Sequence, residues 1–87
     1  MARIYDIRQK EVINIRDGCR FGFAADLEID EVSGKVSKII VPGVGRILGL
    51  FGRDQEYLIP WDRIKQMGED VILVDVDSDK VLKDCEY

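Results

Sequence analysis

Apolar residues recur at every second position from Phe21 to Ile29. Phe21, Phe23, Ala25, Leu27 and Ile29 alternate with Gly22, Ala24, Asp26, Glu28 and Asp30. A period of two marks a strand with one face in a core and the other in water. It predicts a single strand over 20–30, with Phe21, Phe23, Leu27 and Ile29 inward and Asp26, Glu28 and Asp30 outward. The β-rich run Glu11-Val12-Ile13-Asn14-Ile15 precedes it. Asp17-Gly18, between the two, suits the positive φ angles of a hairpin turn. Gly34, after Glu31-Val32-Ser33, suits the left-handed position of a longer hairpin loop. Lys35–Val41 then reads as a third strand, ended by Pro42, which has no N–H for a sheet ladder.

The second half is less regular. Gly43-Val44-Gly45-Arg46-Ile47-Leu48-Gly49-Leu50-Phe51-Gly52 holds four glycines in ten residues, too many for a regular helix or central strand. Gln55–Ile59 resumes strand character and Pro60-Trp61-Asp62 bends it. Ile64–Met67 reads as a short strand or turn, and Gly68-Glu69-Asp70 as another hairpin signal. Val71–Val76 reads as apolar on both faces, the pattern of a strand packed on two sides. From Ser78 the pattern fades. Residues 1–77 therefore form the expected domain and 78–87 an acidic C-terminal tail, with Val81-Leu82 able to start a short helix. Six short strands joined by hairpin signals, with no long amphipathic helix, predict a small antiparallel barrel or sandwich.

Composition narrows the function more than the fold. Eighty-seven residues fit one domain. The longest uncharged run, Ile39–Gly45, is far too short for a membrane span. The first residues lack the apolar stretch of a secretory signal, so a cytoplasmic location and no membrane insertion are expected. The net charge of −4 is unevenly spread: residues 26–34 hold four acidic groups and no basic one, and 69–87 hold seven against two. Without a dense basic face, direct nucleic-acid binding is not expected. No histidine is present, and Cys19 and Cys85 stand alone, which excludes Cys/His zinc sites and His-based triads. Both cysteines are read as free thiols.

At this point the residues resemble a known family. Lys10-Glu11-Val12-Ile13, then Asp17-Gly18 and Phe21-Gly22, are similar to the opening of a PRC-barrel domain. Asp30-Glu31-Val32-Ser33-Gly34-Lys35-Val36 resembles that family's second hairpin. Ile59-Pro60-Trp61-Asp62-Arg63-Ile64 followed by Gly68–Val74 resembles its closing half. Asn14–Arg20 together with Gly49-Leu50-Phe51-Gly52-Arg53 resembles, more narrowly, the YlmC/YmxH group, small proteins named for sporulation in endospore-forming Gram-positive bacteria. The resemblance implies an all-β, six-stranded antiparallel β-barrel and a protein-docking role rather than catalysis. It transfers no catalytic, cofactor-binding or metal-binding residue. Relatives occur in a photosynthetic reaction-centre subunit and in the ribosome-maturation protein RimM.

Three constellations bear on chemistry. The glycine-rich run follows a strand but no helix N-terminus or Gly-Lys-Ser/Thr follows it, so it does not read as a phosphate loop. Asp75, Asp77, Asp79 and Glu86 have calcium-loop spacing, yet Lys80 stands where the sharp turn needs glycine. Trp61 reads as a core or rim plug before it reads as a stacking platform. What remains is an apolar loop: Ile47, Leu48, Leu50 and Phe51 bracketed by Arg46 and Arg53. Such a loop either docks a protein, with the arginines on the rim, or folds back to complete the core. The expected function is a non-enzymatic adaptor without cofactor, binding an unidentified protein or a second copy of itself. The alternative is an RNA-processing or ribosome-associated accessory factor.

Overall fold

The computed structural model describes residues 3–43 and 55–84. A short helix α1 (Ile4–Arg8) leads into strands β1 (Glu11–Asn14), β2 (Arg20–Phe23), β3 (Asp26–Ile29) and β4 (Val36–Pro42). Then follow β5 (Gln55–Pro60), a 3-10 turn over Trp61–Arg63, β6 (Ile64–Met67), β7 (Val71–Val74), a one-turn helix α2 (Ser78–Val81) and β8 (Leu82–Asp84). Turns form where Asp17-Gly18 and Gly34 placed them, with Gly18 at φ 73° and Gly34 at φ 76°. Gly68 N–H donates to the Val71 carbonyl at 2.8 Å and closes the third.

The strands build two four-stranded sheets, ordered β2-β1-β7-β6 and β3-β4-β5-β8. This corrects the expected closed, six-stranded, wholly antiparallel barrel. Among the described residues no ladder joins the two sheets, and β1 pairs with β7 in parallel, Glu11 beside Val71 through Asn14 beside Val74. The expected segments Gln55–Ile59, Ile64–Met67 and Val71–Val76 do carry strands, over 55–60, 64–67 and 71–74, the last stopping at Val74 short of the expected Val76. Residues 78–84, assigned to an acidic tail, instead carry α2 and β8. Tyr57 pairs with Leu82, and Val81 lies in the core.

The strand expected over 20–30 is two strands in different sheets. The chain leaves the first sheet at Ala24, which is buried, and Ala25 N–H already donates to Ile40 of the second at 2.9 Å. Within β2, a register shift leaves Phe21 as the extra residue between Arg20, opposite Ile13, and Gly22, opposite Val12, so Phe21 is buried while Phe23, opposite Glu11, is 56% exposed. A second register shift, between Glu28 and Ile29, turns Ile29 outward as well. Asp26, Glu28 and Asp30 are exposed as expected, and Leu27 is half-buried.

The core lies between the sheets. Val12, Ile72 and Val74 come from the first, Ile39, Val41 and Ile59 from the second. Ile7 from α1 and Val81 from α2 join it. Gly43 ends β4 tightly against β5: its N–H donates to the Gln55 carbonyl at 2.7 Å, and a Cβ there would sit 2.7 Å from that same oxygen. Only glycine fits this approach without moving backbone.

Candidate interaction surface

The loop residues singled out from the sequence, Arg46, Ile47, Leu48, Leu50, Phe51 and Arg53, lie outside the described residues. So does Cys85, while Cys19 is a half-buried free thiol. Trp61 is half-buried and packs on the core. Asp75, Asp77 and Asp79 leave β7 and enter α2, a path unlike an open ligand loop. Among the described residues no three His, Cys, Asp or Glu side chains converge as a metal site. Nor is any helix among them long and apolar enough to cross a membrane.

The outer face of the first sheet is an apolar surface among the described residues. Val12, Asn14, Ile72 and Val74 point inward, so alternation turns Glu11, Ile13, Val71 and Leu73 outward. Glu11 sits beside Val71 and Ile13 beside Leu73 across the parallel ladder. On the other side of β1, Phe23 pairs with Glu11 and Arg20 with Ile13. Ile13, Val71 and Leu73 are half-buried and Phe23 is exposed. One charged pair crosses this face: Arg20 Nη2 meets Glu11 Oε1 at 2.7 Å and Arg20 Nε meets Glu11 Oε2 at 3.0 Å. Ile15, exposed just past the end of β1, is a further apolar group at this end of the sheet.

Behind it lies a polar hub that the sequence reading missed. Asn14 is fully buried, in phase with Val12. Its Nδ2 donates to the Val76 carbonyl at 2.8 Å and to Ser78 Oγ at 3.1 Å. Its Oδ1 accepts from Val76 N–H at 3.2 Å and Arg16 N–H at 3.3 Å. The amide thus pairs with both polar groups of the Val76 peptide and carries the β1–β7 ladder past its last backbone pair. A polar residue at an inward position of an apolar strand was the available signal. Ser78 donates in turn to Asp17 Oδ2 at 2.7 Å, and Asp17 Oδ1 accepts from Cys19 N–H at 2.9 Å. The turn after β1 is thereby tied to α2.

These contacts position side chains without activating one. The Ser78 hydroxyl, and secondarily the Cys19 N–H, hold the Asp17 carboxyl below the usual carboxylate range, which makes it a poorer base. A group depressed in the folded state stabilises above its unfolded pKa and loses that contribution as pH falls through its folded one. Asp17→Asn should therefore be less stable than the parent near neutral pH, and the difference should shrink on acidification toward pH 3. Urea melts across that range check this; a difference that stays constant or widens would contradict the role given to the charge.

Alongside the hub runs a shallow cleft of about 220 Å³, where Arg16, Arg63 and Lys80 surround Pro60, Val76 and Val81. Its carboxylates are committed. Asp75 pairs with Arg16 at 2.9 Å, and Asp77 accepts the Asp79 N–H at 3.1 Å to start α2. Among the described residues no buried side-chain polar atom lacks a partner. The cleft therefore offers no unpaired buried group around which to orient a small substrate.

Comparison with known proteins agrees with this architecture. A family model described as the PRC-barrel domain matches residues 1–81. The chain is 42% identical over 74 residues to the probable sporulation protein YlmC of Bacillus subtilis, covering 85% of this chain and 91% of that one. It is 40% identical over 78 residues to an uncharacterized protein of Clostridium acetobutylicum, covering 90% of this chain and 88% of the other. The uncharacterized protein YmxH of Bacillus subtilis is 32% identical over 76 residues, covering 85% and 88%.

Proposed function

This chain belongs to the PRC-barrel family, and from that premise we propose that it is a non-catalytic protein-docking module working in the cytoplasm during sporulation. The observation that carries the docking role is the run Val71–Val74. It is apolar on both faces, yet packs against the core on one: Ile72 and Val74 are buried and Val71 and Leu73 are not. Strands with this composition are ordinarily covered on both sides, and a partner laid on the outer face supplies the missing cover. The printed name of the Bacillus subtilis relative supports the link to sporulation. The free thiol of Cys19 suits a reducing compartment. In favour of a non-catalytic role, Asn14, Asp17 and Ser78 direct their hydrogen bonds at the backbone and at one another.

In the host cell, deleting the gene should lower the yield of heat-resistant spores. A Leu73→Glu allele should fail to restore it, while Glu28→Ala, on the exposed edge strand β3, should restore it fully. The tagged parent, crosslinked in sporulating cells, should retain a host protein that Leu73→Glu loses. Normal spore yield after deletion would overturn the sporulation role, and an unchanged crosslinking pattern in Leu73→Glu would overturn docking through this face. Ribosomal proteins and RNA in the captured fraction would turn the reading toward a ribosome-associated factor.

A further inference from the structure

The outer face of the first sheet sets Arg20 and Glu11 side by side among Ile13, Phe23, Val71 and Leu73, with exposed Lys65 and Gln66 of β6 at one margin, so it carries both signs and can complement itself. Resting on the docking reading above, we propose that this face also receives a second copy of the chain, packed face to face about a two-fold axis in a weak, reversible homodimer. An isologous interface must fit its own image, since whatever residue i meets on its mate, the mate's residue i meets in return. A surface of one sign fails that condition. Here Glu11 and Arg20 lie 2.7 Å apart within the face, so a half-turn can bring each Arg20 toward the other copy's Glu11. The neighbours Ile13, Phe23, Val71 and Leu73 carry no charge. Two chains of net charge −4 repel at a distance, but salt confines that repulsion to about 10 Å, and contact is then made through a patch whose centre, Ile13, Val71 and Leu73, carries no charge.

Strand-to-strand addition, the other route by which sheets join, is blocked at both edges. The β1–β2 ladder shifts register between Val12 and Ile13, with Gly22 at φ 108° on the edge strand. The β6–β7 ladder shifts between Ile64 and Gln66. Bulges of this kind bend an edge away from a would-be partner. The face also has relief to interlock: exposed Phe23 is the knob, and half-buried Ile13, Val71 and Leu73 are the floor. Its size sets the strength. Four strands about 4.8 Å apart and four residues at about 3.3 Å each give a footprint of roughly 19 by 13 Å. That is well under the roughly 800 Å² per partner of a stable complex, so association follows concentration instead of being permanent.

Sedimentation velocity on the full chain tests this. From micromolar to millimolar protein, the mass should rise from the 9.9 kDa of one chain toward twice that value. Glu11→Arg, which gives the face two like charges, should weaken association about tenfold or more. Adding Arg20→Glu to it should restore association, because the exchanged pair is again self-complementary. Leu73→Glu should abolish it, and Phe23→Ser, at a position already exposed, should weaken it without lowering the melting temperature. A parent that stays monomeric at millimolar concentration overturns the dimer. So do Glu11→Arg and Phe23→Ser variants that fold and associate as the parent does. If the parent is monomeric but Leu73→Glu still loses its crosslinked host protein, the dimer fails and the docking reading stands. If Leu73→Glu changes neither mass nor crosslinks, both fail.

Discussion

Asn14→Leu should lower stability by roughly 4 kcal/mol, about 1–3 kcal/mol for each buried backbone group left unpaired. Leucine has the same branched shape but more bulk, so no cavity opens and any overpacking adds to the loss. The Val76 N–H and carbonyl lose their partners, at 3.2 and 2.8 Å, inside a region closed to water. Ser78 can turn its hydroxyl wholly to Asp17, and Arg16 N–H lies near solvent, so these two add little. A chain of this length has a total stability of roughly 4–13 kcal/mol, so the variant sits at the edge of folding. Asn14→Asp separates pairing from shape. Ionised, it offers no donor to the Val76 carbonyl and buries a charge. Protonated, it regains one donor. Its folded-state pKa should thus lie above the unfolded value, and its deficit against the parent should narrow as pH falls, the mirror of what acid does to the depressed Asp17. Urea melts of the two variants at neutral and acidic pH are the measurement. An Asn14→Leu protein within about 0.5 kcal/mol of the parent would show that the amide pairing is dispensable.

Ile39→Ala should cost about 2–5 kcal/mol, whereas Phe23→Ser should stay within about 0.5 kcal/mol of the parent. Ile39 is fully buried, faces Ile59 across the β4–β5 ladder, and leaves a cavity that rigid neighbours on both sheets cannot fill. Phe23 is the larger residue and belongs to the regular apolar alternation, yet the register shift at Phe21 turns it to the outer face of the first sheet, opposite Glu11. A single continuous strand would make both substitutions severe. Denaturation midpoints that fall equally would restore that picture and remove the register shift at Phe21.

Strand positions and turns were legible because their signals are local: side-chain alternation, Asp17-Gly18, Gly34 and Gly68-Glu69-Asp70. The choice of sheet was not legible. Arg20–Asp30 alternates without a break, and what divides it is the pairing of β2 with β1 and of β3 with β4, contacts between distant parts of the chain. The parallel β1–β7 pair escaped notice for the same reason, since hairpin signals announce only antiparallel neighbours. The helix α1 is too short to show a helical period, although Ile7 anchors it in the core. At the candidate surface, the two-sided apolar character of Val71–Val74 was readable and proved informative. The role of Asn14 was not, because its partners sit more than sixty residues away.

That parallel pair also bears on how the chain folds as it is made. β1 ends at residue 14 and β7 at residue 74, so the middle of the first sheet cannot close until some sixty residues after β1 have been synthesised. The hairpin of β1 and β2 can form early. Until β7 arrives, however, the other edge of β1 stays open, with Val12 lacking its cover and Asn14 lacking Val76. Closing so long a loop delays the contacts that reward it and leaves apolar edges open to other chains in the meantime. A nascent chain stalled before residue 71 is in this sense half a sheet with a sticky seam.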